Sequence, residues 1–342
     1  MQKDVLIVGG GISGITVGNE LAQSGISTLL IERESALGGL AASFCCKASE
    51  SCNQCFACVV DKRVSEIRSG SSFSVLTGTE LTGLTGEPGA YTVSLKKGTE
   101  RMDLKISAIV IAAGVDPFDA SRKAEYGYGR FKNVITARDL DEMLRLRGKL
   151  FRPSDGKLPG TVAFFQCVGS RDESIGNLYC SQVCCAYALR LIKAIRYQYP
   201  EIKAAFLYMD IQPAGASFGQ FLNSCRQDNG IRLIRSLPSK VYHSPLSDSL
   251  KVRLTDPVKG GVVEELFDLI VLSVGMVLRK ESNSLARLFG LNFNEEGFFA
   301  PPPAQTGIFV AGACSGPKDI DRSIIHSKSI ACAVRQYLKG RS

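Results

Sequence analysis

The stretch Val5-Leu6-Ile7-Val8-Gly9-Gly10-Gly11-Ile12-Ser13-Gly14 constrains the fold more than any other part of the chain. Consecutive apolar residues, mostly β-branched, read as a parallel strand buried on both faces. A G-x-G-x-x-G run follows at once, a helix is expected from about Gly14 to Gln23, and Thr28-Leu29-Leu30-Ile31 supplies a second strand ending in Glu32. Gly9 permits the tight turn, Gly11 lets the backbone approach a pyrophosphate, and Gly14 lets the helix pack closely. Glu32, eighteen residues after Gly14, is placed to accept ribose hydroxyls. A lone glycine pattern is weak, but inside a complete β-α-β frame it specifies a dinucleotide-binding domain. Ser13 and Arg33 border the same loop and acid and join the candidate contacts.

A second strand-first domain begins at Thr161-Val162-Ala163-Phe164-Phe165-Gln166, after the turn-rich Arg152-Pro153-Ser154-Asp155-Gly156. A pyridine-nucleotide domain would now show another glycine loop. Instead the chain reads Cys167-Val168-Gly169-Ser170-Arg171, a loop, Cys180, and then Cys184-Cys185 opening an amphipathic helix. Leu189, Ile192 and Ile195 fall on one face of that helix and Arg190, Lys193 and Arg196 largely on the other. Strands near 231–234 and 269–273 suit a continuing nucleotide-type fold whose nucleotide loop has been lost.

Four thiolates in C-x12-C-x3-C-C spacing can hold a [4Fe-4S] cluster, with two of them at a helix start near free amides and the positive dipole end. The spacing departs from the ferredoxin C-x2-C-x2-C, so on residues alone buried core cysteines and zinc stay open. The chain holds twelve cysteines. In a 342-residue chain with 45% hydrophobic content, a disulfide framework is not needed for stability, and metal ligation or redox chemistry is the better default. Cys45, Cys46, Cys52, Cys55 and Cys58 form a second group. Cys52-x2-Cys55-x2-Cys58 has ferredoxin-like spacing without the fourth Cys-Pro, which Cys45 or Cys46 could complete; reduced or labile thiols and a flavin-linked thiol pair are the other readings.

The formal charge of +8 is spread along the chain rather than concentrated with aromatics, which excludes a nucleic-acid surface. The opening residues have no signal-peptide pattern, and apolar runs stay short of the roughly 18 residues a membrane helix needs. A cytoplasmic protein without direct membrane insertion is expected. His243 and His326 fit neither a metal pair nor a triad, and no Walker A loop is present.

Further motifs carry resemblances. Thr306-Gly307-Ile308-Phe309-Val310-Ala311-Gly312 resembles the second FAD motif of the two-dinucleotide-domain flavoproteins, the thioredoxin and glutathione reductase superfamily, and Ile109-Val110-Ile111-Ala112-Ala113-Gly114 resembles their connecting motif. The resemblance implies an α/β fold of two Rossmann-like, dinucleotide-binding domains, the second inserted in the first. The discontinuous FAD domain would comprise residues 1–117 and 288–342, with a β-meander between Ser72 and Gly98, and the inserted iron-sulfur domain residues 118–287. It implies FAD contacts at Gly9, Gly11, Ser13, Gly14, Glu32, Arg33, Gly38, Gly39, Ala113, Gly114, Gly312, Ala313 and Lys318. The superfamily has Asp after the last glycine where this chain has Ala313, so the ribityl contact must be supplied differently. A helix from about Ile320 to Leu338 is expected to point its positive end at the flavin.

Gln166-Cys167-Val168-Gly169-Ser170-Arg171, Tyr179-Cys180-Ser181 with Cys184-Cys185, and Gly312-Ala313-Cys314-Ser315-Gly316-Pro317-Lys318-Asp319-Ile320 resemble the heterodisulfide reductase A-type flavoprotein family, as do Tyr126-Gly127-Tyr128-Gly129, Asn133-Val134-Ile135-Thr136 and 152–156. The likeness runs along nearly the whole chain. It implies that Cys167, Cys180, Cys184 and Cys185 ligate a [4Fe-4S] cluster near FAD. The long methanogen form carries ferredoxin motifs that are missing here, so the short forms of sulfur oxidisers and of quinone-interacting complexes are nearer, and electron exits would lie in HdrB-like and HdrC-like (ferredoxin-type) subunits. A homodimer is also implied. The leading expectation is an oxidoreductase electron-transfer subunit in sulfur metabolism. The alternatives are a self-contained NAD(P)H-dependent disulfide reductase using the N-terminal cysteines, whose superfamily C-x4-C spacing is missing, and a non-catalytic assembly subunit.

Overall fold

In a computed structural model, which describes residues 2–67, 72–213, 215, 217–244, 248–256, 258 and 260–341, β1 (Gln2–Val8) lies between parallel partners on both sides. Val5, Leu6 and Ile7 are fully buried, as the unbroken apolar run requires. Helix α1 (Ile12–Ala22) leaves the glycine loop two residues earlier than expected, because the chain is already helical at Ile12, directly after Gly11. β2 (Thr28–Ile31) and α2 (Ala57–Ser65) follow, then β3 (Phe73–Leu76), β4 (Thr79–Glu87), β5 (Ala90–Lys97) and β6 (Glu100–Ile111).

β3 is not part of a meander: it pairs parallel with β2 and extends the central sheet. The reason lies in α1, where a Cβ on Gly18 would sit 2.1 Å from the Phe73 ring, so the glycine makes room for that buried side chain. The meander proper is β4, β5 and β6. β6 serves twice. Its first half closes the meander against β5, and its last residues pair parallel with β1.

After β7 (Val115–Pro117) come β8 (Val134–Thr136), α3 (Ala137–Arg147), β9 (Thr161–Val168), α4 (Cys184–Gln198), β10 (Lys203–Leu207), α5 (Phe218–Arg226) and β11 (Ile231–Ile234). The antiparallel trio β12 (Lys240–His243), β13 (Leu250–Thr255) and β14 (Val262–Phe267) leads into β15 (Leu269–Val274). The sheet order β11-β10-β9-β15-β8 is parallel throughout, and it buries Leu189, Ile192 and Ile195 of α4 against Phe164, Phe206 and Val271. A capping box between Thr136 and Asp139 starts α3, and Gly148 in the left-handed region ends it.

β16 (Met276–Leu278), α6 (Ser282–Phe289), β17 (Ile308–Val310) and α7 (Ile320–Lys339) complete the chain. β17 pairs with the end of β6, and the Asp319 carboxylate caps α7 by accepting the Arg322 amide. Two compact units result: Met1–Ser43, Phe56–Asp116 and Val277–Ser342 in one, Phe44–Cys55 and Pro117–Met276 in the other. The return at Val277 precedes the position near 288 read from the sequence because α6 buries Ala286 and Phe289 in the first unit's core. The assignment of Phe44–Cys55 to the second unit had no local sequence sign. Among the described residues no helix is long and apolar enough to cross a membrane.

Candidate cofactor and thiol sites

The glycine loop of the first unit is shaped by close backbone approaches. A Cβ on Gly14 would lie 2.0 Å from the Gly9 carbonyl oxygen and one on Gly9 2.4 Å from that of Ala112, so α1 and the end of β6 close on the loop only because these residues are glycines. Gly11 differs: a Cβ there meets nothing within 4 Å, and neither does one on Gly114 at φ +72°. α1 starts at Gly11 with no side-chain cap and no acid in its first turn, leaving its amides available to an anion. Gly38 and Gly39, both at positive φ, bring a second backbone segment alongside, with the Gly38 amide donating to the Gly10 carbonyl at 2.8 Å. The uncapped amides and the open positions at Gly11 and Gly114 fit a dinucleotide.

Glu32 accepts from the Gly10 amide at 2.6 Å and from the Glu34 amide at 2.9 Å, so its carboxylate is held beside the loop by backbone donors. Arg33 points elsewhere, pairing with Glu34 and Glu281 at 3.3 Å each. Gly312 packs on buried Ser13, whose Oγ would be 1.9 Å from an added Cβ, and its amide donates to His326 Nδ1 at 3.0 Å. That bond gives His326 a helix-to-loop role which its isolation in sequence concealed. Lys318 Nζ reaches the Ser315 hydroxyl at 3.0 Å and the Gly316 carbonyl at 3.2 Å, and burial lowers its pKa. Ala313 brings no carboxylate into this loop. Beneath it the buried Cys314 thiol is pushed up to about 11 by burial, with the Gly114 and Ala113 amides acting against the shift.

In the second unit the four central cysteines line one pocket. Cys167 comes from the end of β9, Cys180 from the loop, and Cys184 and Cys185 open α4, where they are 8% exposed each. No side chain caps the start of α4, the end at which Cys184 and Cys185 sit and where the helix dipole is positive. The Gln182 amide donates to Cys180 Sγ at 3.3 Å. Five non-glycine residues of the chain have positive φ among those described, and three of them, Cys167, Arg171 and Gln182, belong to this pocket. Strain of that kind persists only where surroundings hold it.

The surroundings are a set of hydrogen bonds across the loop. The Arg171 amide donates to Tyr179 at 3.0 Å, Asn177 Nδ2 to Gly169 at 2.9 Å, and Tyr179 Oη to the Met276 carbonyl at 2.8 Å. Ser170 and Ser181 share a buried hydroxyl contact of 2.6 Å, and Ser181 accepts the Met276 amide at 2.8 Å. Gly275 makes this possible, since a Cβ there would be 2.0 Å from Ser170 Oγ. Sequence reading missed this clamp, because two serines and a glycine far apart carry no spacing signature.

Burial, followed by the neighbouring thiols, pushes Cys167 up to about 12, and Cys184 rises well above its ordinary value for the same reasons. Burial also raises Cys185. Thiols so crowded deprotonate only against a compensating cation, which is the chemistry of a metal or iron-sulfur ligand set. Among the described residues no group of three or more His, Cys, Asp or Glu is already arranged around a single metal ion, and the four thiols line the pocket wall. Four cysteine thiols are the donor chemistry of a [4Fe-4S] cluster.

The N-terminal cysteines divide between the units, with Cys45, Cys46, Cys52 and Cys55 in the second and Cys58 in the first. All twelve cysteines are unpaired.

A family model described as pyridine nucleotide-disulphide oxidoreductase matches residues 3–336. An A-type iron-sulfur subunit of the CoB–CoM heterodisulfide reductase of Methanopyrus kandleri is 30% identical over 95% of this chain and 63% of its own length. The A-type subunit of the H(2):CoB-CoM heterodisulfide,ferredoxin reductase of Methanothermobacter thermautotrophicus is 38% identical over 68% of this chain and 37% of its own length. The chain thus spans less than two thirds of these curated relatives. Among solved structures, thioredoxin reductases of T. acidophilum and Lactococcus lactis each superpose with a TM-score of 0.63, at 13% and 18% identity, covering 100% and 99% of this chain and 99% of each of theirs. They share its fold.

Proposed function

The chain belongs to the pyridine nucleotide-disulphide oxidoreductase family, and from that premise we propose that it is the FAD- and [4Fe-4S]-containing electron-transfer subunit of a heterodisulfide reductase-like complex. The observation that carries the reading is the meeting of Cys167, Cys180, Cys184 and Cys185 in one pocket, where the related fold would have a second nucleotide loop. When bound, FAD supplies two-electron chemistry and a [4Fe-4S] cluster one-electron transfer.

The protein's own residues then have defined tasks. Gly11 with the free amides of α1 holds the pyrophosphate while Gly9 and Gly14 let the loop close, Glu32, held by its backbone donors, meets the ribose, and Gly114 leaves the flavin its path. Ser315, within reach of Lys318, supplies a hydroxyl in the loop where Ala313 supplies none. The four cysteines ligate the cluster, and the Gln182 amide and the start of α4 offset its negative charge. Electrons leave for HdrB-like and HdrC-like partners, and the substrates are sulfur compounds of the thiol/disulfide class bound by those partners.

The test is anaerobic purification with iron and acid-labile sulfide measured per FAD, and low-temperature EPR after reduction. About four irons per FAD, with a reduced-cluster signal lost in Cys180→Ala, is the expected result. A reconstituted protein with FAD, no iron and no signal would overturn it.

A further inference from the structure

Among the described residues, the wall of the four-cysteine pocket contains two charged side chains, Arg171 and Asp210, in contact with each other at 2.5 Å. As a stabilising pair they offer little: both are partly open to solvent, and such pairs contribute weakly to folding. The cost of having them is real, because Arg171 sits at φ +54°, where a side chain is strained. Stability therefore does not explain an arginine at this position.

The pair is also fixed rather than loosely associated. The Arg171 amide is bonded to Tyr179, and Gln212 Nε2 donates at 3.0 Å to the same Asp210 oxygen that takes the guanidinium. Both charged ends border the same space that Cys167, Cys180, Cys184 and Cys185 line.

Adding one electron to a four-thiolate cluster makes the site one charge more negative. A fixed cation at its edge stabilises the reduced state and a fixed anion opposes it, more strongly in a partly desolvated pocket than in water. We propose that Arg171 and Asp210 set the reduction potential of the cluster that these cysteines hold, with opposite signs, Arg171 raising it and Asp210 lowering it. This rests on the cluster reading given above. Both are positioning residues that act on the cluster through space.

The experiment is an EPR-monitored redox titration of the reconstituted full-length protein and of Arg171→Gln, Arg171→Lys and Asp210→Asn. Arg171→Gln is expected to lower the reduced-to-oxidised ratio at fixed potential about tenfold, a shift of about 59 mV for one electron. Asp210→Asn shifts it the other way, and Arg171→Lys, which keeps the charge, returns most of the wild-type value. A purely structural loop residue would not produce shifts of opposite sign. Potentials unchanged in Arg171→Gln and Asp210→Asn, or displaced in the same direction, with wild-type iron content, overturn the inference. A wild-type protein that takes up no iron overturns the cluster reading itself. Should Arg171→Gln fail to load, the opposite-sign shift in Asp210→Asn and the charge rescue in Arg171→Lys decide the matter.

Discussion

The ammonium of Lys47 and the carboxylate of Asp141 meet at 2.7 Å with side chains only 2% and 1% exposed. Asp141, on α3, also accepts the Cys45 amide and the Tyr187 hydroxyl at 2.6 Å each, while Lys47 reaches the Cys45 carbonyl at 3.0 Å and lies 5.0 Å from the Tyr187 ring. Arg190, three residues beyond Tyr187 on α4, donates to the Asn53 carbonyl at 2.7 Å. Residues 44–55 are thereby laid along the helix that begins with Cys184 and Cys185, which is why they fold with the second unit.

Removing one member of such a pair leaves a buried charge. Lys47→Met is expected to destabilise the protein by about 3–5 kcal/mol, and the double change Lys47→Met with Asp141→Leu to recover much of that. Urea unfolding midpoints of the three proteins measure it. A single variant as stable as the double one would show that water reaches the site and that the pair does not hold the segment.

Stability should also fall in alkali through buried thiols. Cys225 and Cys314 are each held up to about 11 by burial, against an ordinary 9.0. Below pH 9 both states keep these protons and the contribution is fully present; from 9 toward 11 the unfolded chain releases them while the folded chain does not, and stability is lost, by up to about 1.4 kcal/mol per pH unit per thiol. Denaturation series at pH 7, 9 and 10.5 should show a slope that Cys225→Ala and Cys314→Ala flatten. An unaltered slope would assign the alkaline loss to other groups.

What could be read in the sequence follows the range of the interactions. The β1-loop-α1 unit was legible because much of its geometry is local: Gly14 packs on the Gly9 carbonyl within one turn. Which cysteines come together was legible because β9 and α4 are adjacent in chain order, so Cys167 at a strand end and Cys184 at a helix start necessarily approach. Lys47 with Asp141, Arg171 with Asp210, and Gly275 with Ser170 and Ser181 were not, since each joins common residue types across long stretches of chain and only the folded topology selects the partner. Phe73 was misread as meander because the space it fills is made by Gly18, on another element.

The Gly275 contact tests whether the loop is built for its thiols. Gly275→Ala would thrust a methyl toward Ser170 Oγ and part the Ser170–Ser181 contact, moving the segment that carries Cys180. Iron retained after reconstitution should drop at least about twofold, while FAD content, which depends on the other unit, should stay at the wild-type level; a strained buried contact of this kind costs about 1–3 kcal/mol. Iron and FAD assays on one sample separate the two. Equal loss of both would mean general unfolding.

The two glycines of the N-terminal loop make opposite predictions. At Gly14 a methyl collides with the Gly9 carbonyl oxygen at 2.0 Å, so Gly14→Ala must push α1 off the loop, and the FAD-free protein itself should lose about 1–3 kcal/mol. At Gly11 a methyl meets nothing within 4 Å and the residue has φ −75°, which any residue adopts, so the FAD-free protein should tolerate Gly11→Ala. On the proposed reading a pyrophosphate approaches the backbone through the open space at Gly11, and a methyl there should weaken FAD binding at least about tenfold, roughly 1.4 kcal/mol. Flavin-fluorescence titration gives the affinity and thermal unfolding without FAD gives the stability. Normal FAD affinity in Gly11→Ala would move the pyrophosphate away from this loop, and with it the reason for the glycine.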